Sequence, residues 1–323
     1  MNAAVLRALG QAPHFEEFPE PTPGEREALV HVTAAALKPV DRQMAAGTHY
    51  ASPRQLPAVC GTDGVGRLDD GRRVLFGGAR PPYGAMAERT VAPRAFCWPV
   101  PDGVDDVTAA ALVNPGLSAW LSLTSRAGLQ AGQTVLILGA TGVTGRLAIQ
   151  ISKQLGAARV VAAGRNPQSL ASLPALGADA VIALDQSDAE LSAAFAREAG
   201  ENGFDVVLDY LWGRPTEALL AALTRPDFKP ARSARTRLVQ VGESAGPSIT
   251  LPAAALRSSG LEIVGAGSGA IPPLDVLQDG FRLLMEGAAC GELSIDTARV
   301  PLAQVESAWE IENPQRRRLV IIP

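Results

Sequence analysis

Thr134-Val135-Leu136-Ile137-Leu138-Gly139-Ala140-Thr141-Gly142-Val143-Thr144-Gly145 decides how this chain is read. A short apolar run enters glycines at 139, 142 and 145, and the helical pattern RLAIQISKQLG follows directly. One glycine allows a tight turn, one lets backbone approach a pyrophosphate, and one lets the helix pack closely on the sheet. The helix start then offers unpaired N–H groups and a positive dipole end to an anion. The bare spacing GxxGxxG is weak, and its plain alternative is a set of glycines that serves only a turn. Between a strand and a helix, however, it makes Gly139, Ala140, Thr141, Gly142, Val143 and Thr144 a candidate dinucleotide cradle.

Working outward, further apolar runs alternate with helical patterns: ARVVAA (158–163), ADAVIAL (178–184), FDVVLD (204–209), TRLVQV (236–241) and LEIVG (261–265). With 134–138 they make six strands, and the alternation predicts an α/β doubly wound parallel sheet. Their unbroken apolar character predicts cover on both faces. The end of the second strand chooses the dinucleotide. A site for NAD places Asp or Glu there, about 20 residues beyond the glycines, to bind the ribose hydroxyl. Here Gly164-Arg165-Asn166 stands instead, and no acid occurs between Gly145 and Asp179. Arg165 can pair a 2′-phosphate through its planar fork of donors, so NADPH is favoured over NADH. The rival reading of Arg165 is a solvated helix start. Gly242 and Ser244 follow the fifth strand, where ligands of such sheets lie beyond strand carboxyl ends, and are further cofactor-site candidates.

The texture changes on either side of this block. Residues 1–100 carry short, strand-like pieces such as EALVHVTA (27–34) and RRVLFGG (72–78), broken by Pro and Gly, which predicts an all-β or barrel-like region. After the block, a helix is expected near 273–287, and RRRLVIIP ends as an isolated strand. Such a strand is expected to return to the N-terminal domain. The predicted division is 1–117 with 268–323 against 118–267, with linkers near 114–118 and 267–273.

The chain has 323 residues, 47% hydrophobic and 19% charged, which excludes disorder and gives length for about two domains. A net charge of −4 with no basic block makes nucleic acid an unlikely partner. Cys60, Cys97 and Cys290 are odd in number and far apart, so neither a disulfide framework nor a CxxC metal half-site is expected. MNAAVLRALG is too short and mixed for a signal peptide, and no apolar run approaches bilayer length, so no membrane partner and a cytoplasmic location are expected.

The chain resembles the medium-chain dehydrogenase/reductase superfamily, in its zinc-independent quinone oxidoreductase branch. The resemblance rests on Lys38-Pro39-Val40-Asp41, on 57–66 (PAVCGTDGVG), on 84–88 (GAMAE), on 114–119 (NPGLSA), on the glycine loop and on 241–246 (VGESAG). It implies a GroES-like β-barrel catalytic domain built from both chain ends, with the Rossmann domain inserted between them. Relatives commonly pair as homodimers through the edge strand of that sheet. Zinc members hold metal with a Cys in Cys-x-x-Asp and a His in Gly-His-Glu. Lys38 and Gly61-Thr62-Asp63 stand at those places. A protonated Lys has no lone pair and Thr is a poor zinc ligand, so no metal is expected.

Without a Lewis acid, little would stabilise an alkoxide, whereas a conjugated acceptor spreads the charge that hydride addition creates. The expected activity is therefore NADPH-dependent, zinc-free hydride transfer to a quinone or another α,β-unsaturated carbonyl. The resemblance places a tyrosine shortly after a glycine near the nicotinamide; in Gly47-Thr48-His49-Tyr50 the spacing leaves Tyr50 or His49 at that place. A tyrosine hydroxyl can position an acceptor or give a proton. Lys38 lies where relatives face the nicotinamide, either to polarise a carbonyl or to form a surface pair with Asp41. Two rivals remain open: an enoyl-thioester reductase, because Asn114-Pro115 resembles a run of those enzymes, and an idle NADPH-binding sensor or structural protein.

Overall fold

The computed structural model describes residues 1–224, 235–267, 269, 272–311 and 317–323. They divide into two units, Met1–Asn114 with Phe281–Pro323, and Pro115–Gly280.

The first unit begins with β1 (Asn2–Leu6), β2 (His14–Glu17), β3 (Glu27–Ala36), the helix α1 (Pro39–Ala46), β4 (Ala58–Val59), β5 (Asp63–Leu68), β6 (Arg73–Gly77), β7 (Arg89–Pro93) and β8 (Cys97–Pro99). The helix α2 (Asp106–Leu121) follows. The alternation in EALVHVTA is what its burial shows, with Ala28, Val30, Val32 and Ala34 turned inward. Ten residues make β3 long enough to serve several neighbours: it pairs β5 over 30–34, β7 over 27–31 and the C-terminal strand at Ala35–Ala36.

The second unit contains β9 (Thr134–Leu138), α3 (Val143–Gln154), β10 (Arg159–Gly164), α4 (Pro167–Ala171), β11 (Ala180–Ala183), α5 (Asp188–Ala199), β12 (Val206–Asp209), α6 (Gly213–Leu223), β13 (Arg237–Gln240), α7 (Ala253–Ser259) and β14 (Glu262–Gly265). The strands form one parallel sheet in the order β11-β10-β9-β12-β13-β14. This is the doubly wound α/β arrangement expected of the alternating pattern. Cover on both faces holds for the inner strands, where Val135–Leu138, Val160–Ala163 and Val206–Leu208 are all buried. It fails at the edges: Val181 of β11 is exposed, and β14 is only half-buried.

Helix α8 (Leu274–Ala289) leads back to β15 (Thr297–Pro301), α9 (Val305–Glu310) and β16 (Arg318–Ile322). The isolated C-terminal strand does return: Val320 and Ile321 pair antiparallel with Ala36 and Ala35. The division between the units falls at Asn114/Pro115, within the expected stretch 114–118, but that stretch is helical and not a loop, because α2 continues through Pro115. A proline reads as a helix boundary, since it lacks an N–H and disfavours helical backbone before it. Here Asp105 starts the helix nearly three turns earlier, its carboxylate accepting from the amides of Val107 and Thr108. Among the described residues, no helix is long and apolar enough to cross a membrane.

Candidate functional site

In the second unit the glycines have separate, visible tasks. Gly139 turns the chain at φ +88°, a conformation that side chains rarely adopt. Its amide and that of Ala140 both donate to the carbonyl of Ala163, at 3.0 and 2.9 Å, which fastens the loop to β10. At Gly145 a Cβ would lie 2.4 Å from the Gly139 carbonyl oxygen, so the helix meets the loop backbone directly. Gly142 is the N-cap of α3, and Arg146 is the first residue whose amide reaches back to it, at 2.9 Å. Among the described hydrogen bonds, none takes the amides of Val143, Thr144 or Gly145, so three donors stand unspent at the positive end of α3.

The exit of β10 completes this cradle. Thr141 is buried, and a Cβ at Gly164 would stand 2.4 Å from its Cγ2; the missing side chain lets the loop lie on the strand. Arg165 is exposed immediately afterwards, with no described ion pair or hydrogen bond. Asn166 is otherwise engaged, since its Oδ1 caps α4 by accepting from the Ser169 amide at 2.8 Å. Gly242 and Ser244 fasten the exits of β12 and β13 together. The Gly242 amide donates to the Asp209 carbonyl at 3.1 Å, and the Ser244 hydroxyl donates to the Tyr210 carbonyl at 3.0 Å.

Two groups beside these exits escaped the sequence reading. Asp209 is fully buried at the end of β12, where burial pushes its carboxyl up while the Thr216 hydroxyl and the amides of Trp212 and Leu211 pull it down. The Tyr210 hydroxyl is buried without a described partner, and burial pushes it up as well. FDVVLDY reads as an ordinary buried strand, and nothing in its periodicity distinguishes a turn-forming Asp from a surface one.

In the first unit, Lys38 corrects the expectation of a surface pair. Its side chain is 1% exposed, with Nζ 3.0 Å from Asp63 Oδ2 and 3.6 Å from Asp41 Oδ2. Asp41 Oδ2 also accepts from the Lys38 amide at 2.8 Å, closing the start of α1. Burial pushes the Asp41 carboxyl up, Lys38 opposes that shift, and Asp63 adds to it. Arg318, the last of three adjacent arginines that by composition suit a solvated strand edge, is buried too and donates to the Leu37 carbonyl at 3.0 Å. Arg317 is exposed, and Arg316 lies outside the described residues. Two cations and two carboxylates thus share one buried locus, which no single-strand pattern announces.

Beside it opens a pocket of about 750 Å³ formed within this unit alone. Leu6, Asp41, Ala45, Val59 and Cys60 form its buried wall, and Tyr50 and Arg54 stand at its exposed side. Burial first and Asp41 second push the Cys60 thiol up to about 12, so it is an inert apolar group at neutral pH. Tyr50 is 72% exposed and stacks on His49 at 4.0 Å between ring centroids. His49 Nδ1 accepts from the Ala51 amide at 3.1 Å. Of the three sequence-named residues, Tyr50 lines the pocket, His49 supports Tyr50, and Lys38 lies behind Asp41.

Comparison with known proteins agrees with this fold. Residues 143–278 match the family described as zinc-binding dehydrogenase. Across the full length of both chains the sequence is 27% identical to the "Probable NADPH-dependent quinone reductase" of Emericella nidulans. It is 31% identical to a trans-enoyl reductase of Aspergillus terreus, over 62% of this chain and 58% of that protein. The fold superimposes on Escherichia coli quinone oxidoreductase complexed with NADPH with a TM-score of 0.86, at 22% identity and full coverage of both chains. With its six-stranded parallel sheet, glycine cradle and separate antiparallel unit, the chain is similar in sequence and fold to the quinone oxidoreductase-like medium-chain dehydrogenases/reductases.

Proposed function

We propose that this protein is a zinc-independent reductase that uses NADPH to reduce a quinone or another α,β-unsaturated carbonyl. The observation that carries the reading is the occupant of the buried carboxylate pair: a lysine ammonium already sits against Asp41 and Asp63. The family description raises zinc, and the donor set here does not suit it. Zinc needs thiolate, neutral imidazole or free carboxylate ligands. Cys60 is held as a thiol, Lys38 brings positive charge, and the Thr62 hydroxyl is spent on Asp63 at 2.9 Å. Among the described residues no group of three His, Cys, Asp or Glu is placed to hold a metal.

The glycine loop suits a dinucleotide. The free amides at 143–145 would hold the pyrophosphate, Arg165 the 2′-phosphate, and Gly242 and Ser244 the wall near the nicotinamide. Bound NADPH supplies hydride. The chain's own residues then do three things: the apolar wall of the pocket excludes water, Tyr50 positions the acceptor, and its Oη gives a proton to the acceptor oxygen, with His49 holding the ring in place. A conjugated acceptor suits a site that offers hydrogen bonds without a Lewis acid. The similarity to the trans-enoyl reductase favours an enoyl thioester as the second reading. We further propose a homodimer paired through an edge strand of the sheet, β11 or β14, and a cytoplasmic location in keeping with free Cys60, Cys97 and Cys290.

The test is steady-state NADPH oxidation against 1,4-benzoquinone, 9,10-phenanthrenequinone, an alkenal and crotonyl-CoA, with EDTA present. Turnover of quinone or alkenal that EDTA leaves intact supports the reading, and crotonyl-CoA as the best acceptor supports the second. Activity lost to chelation, or NADPH bound and never consumed, overturns it.

A further inference from the structure

We propose that the pocket of the first unit selects conjugated carbonyls that carry an anionic substituent, and that Arg54 reads that charge. The inference rests on the reductase reading and deepens it by naming the substrate class.

Size comes first. At about 750 Å³ the pocket lies in the upper part of the range, about 300–1,000 Å³, that accommodates drug-sized ligands, and it far exceeds what a single quinone ring needs. Its ring-bearing residues suit a planar body. Tyr50 is backed by His49, and Tyr83 is held edge-on against Phe18 at 5.9 Å with its hydroxyl donating to the Glu20 carbonyl. Neither ring has to be ordered by the ligand.

Charge decides the rest. Only two of the described lining side chains are formally charged, Asp41 and Arg54. Asp41 is 3% exposed and already answered by the amide and ammonium of Lys38. Arg54 is exposed and has no described ion pair or hydrogen bond, so the pocket presents one uncompensated positive charge. The chain as a whole carries −4, and its general field therefore repels anions. Any preference for an anionic acceptor must come from a local cation, and Arg54 is the one that lines this cavity. A guanidinium binds carboxylate, sulfonate or phosphate oxygens through paired N–H donors.

The experiment compares 1,2-naphthoquinone with 1,2-naphthoquinone-4-sulfonate in wild type, in Arg54→Glu, and in Arg257→Glu, which makes the same charge change on exposed α7. Because the two quinones differ in intrinsic reactivity, the quantity read is the ratio of their kcat/KM values, compared between proteins. In Arg54→Glu the ratio, sulfonate over neutral, falls about five- to tenfold through KM, the scale of reversing one partly exposed pair, and the effect shrinks as salt rises. Arg257→Glu leaves the ratio as in wild type. An unchanged ratio in Arg54→Glu, or an equal change in both variants, overturns the proposal. If wild type reduces neither quinone, the reductase reading fails separately, and calorimetric titration with naphthalene-2-sulfonate judges the anion site. Binding weakened by Arg54→Glu alone then supports it, and equal binding, or none, overturns it.

Discussion

Lys38 Nζ lies 3.0 Å from Asp63 Oδ2 in a site where the lysine is almost wholly buried and the aspartate largely so. A charge taken out of water is costly unless it is paired, and here each partner answers the other while Lys38 also faces Asp41.

Lys38→Met therefore leaves two neighbouring buried carboxylates without their nearest cation. Breaking one side of such a pair is expected to destabilise by about 3–5 kcal/mol, seen as a lower denaturation midpoint. Lys38→Met combined with Asp63→Asn is expected to recover part of that loss, since the orphaned charge disappears. The deficit also has a pH sign. The folded state raises the Asp41 carboxyl, through burial first, so its contribution to stability is full at low pH and declines as pH rises through the folded value. Removing Lys38 deletes the opposing influence, so the deficit of the single variant is greatest at neutral pH and narrows on acidification. A deficit that stays constant from neutral pH downward contradicts this account.

Arg165→Glu tests the choice of cofactor. Arg165 stands exposed at the end of β10, in the place where an acid would bind a ribose hydroxyl. A hydrogen bond to a charged group is worth about 1.5–3 kcal/mol, so KM for NADPH is expected to rise about tenfold or more. KM for NADH, which lacks the 2′-phosphate, should stay level or fall. Steady-state kinetics with both cofactors give the answer, and parallel changes in the two refute the role.

Gly145→Ala tests the cradle by volume. The backbone at 145 is ordinary helix, so no strained conformation is involved. The added Cβ would meet the Gly139 carbonyl oxygen at 2.4 Å and the Ala140 Cα at 2.6 Å, and backbone cannot swing aside as a side-chain tip can. Overpacking of this kind costs about 1–3 kcal/mol. It is also expected to displace the loop that presents the free amides, so fluorescence titration should show NADPH affinity falling by more than overall stability does.

The second unit was legible because its signals are local. A run such as TVLIL predicts β9 residue for residue, and the glycines follow within the same window. The edge strand is less legible: ADAVIAL suggests full burial, yet Val181 is exposed, because β11 ends the sheet and pairs with β10 along one side. The first unit depends on partners distant in sequence. Arg318 reads as one of three surface arginines, but the pairing of β16 with β3 carries it into the interior beside Asp41 and Lys38. Lys38 reads as a surface cation for the same reason, since its main partner, Asp63, is 25 positions away at the start of β5. Nothing in the sequence marks Arg54, because an arginine beside a proline in a loop gains meaning only from the cavity next to it.

Asp105 offers a test of the helix that runs through Pro115. Its carboxylate accepts from the amides of Val107 and Thr108 and from the Thr108 hydroxyl, at 3.0, 3.1 and 2.6 Å. Burial pushes the carboxyl up, but these three donors outweigh it and hold it below the usual range. The sign follows: a lowered carboxyl contributes fully above its unfolded value of about 3.9 and loses that contribution as pH falls through the folded one. Asp105→Ala removes the cap and should cost about 1 kcal/mol at neutral pH, with the melting curves of variant and wild type converging in acid. Asp105→Asn is the sharper comparison, because an asparagine oxygen still accepts the same amides and carries no proton equilibrium. Asp105→Asn should therefore lose little at neutral pH and show a flatter acid limb than wild type. An alanine variant whose deficit persists unchanged below the folded value would mean that the side chain acts by packing and not as a charged cap.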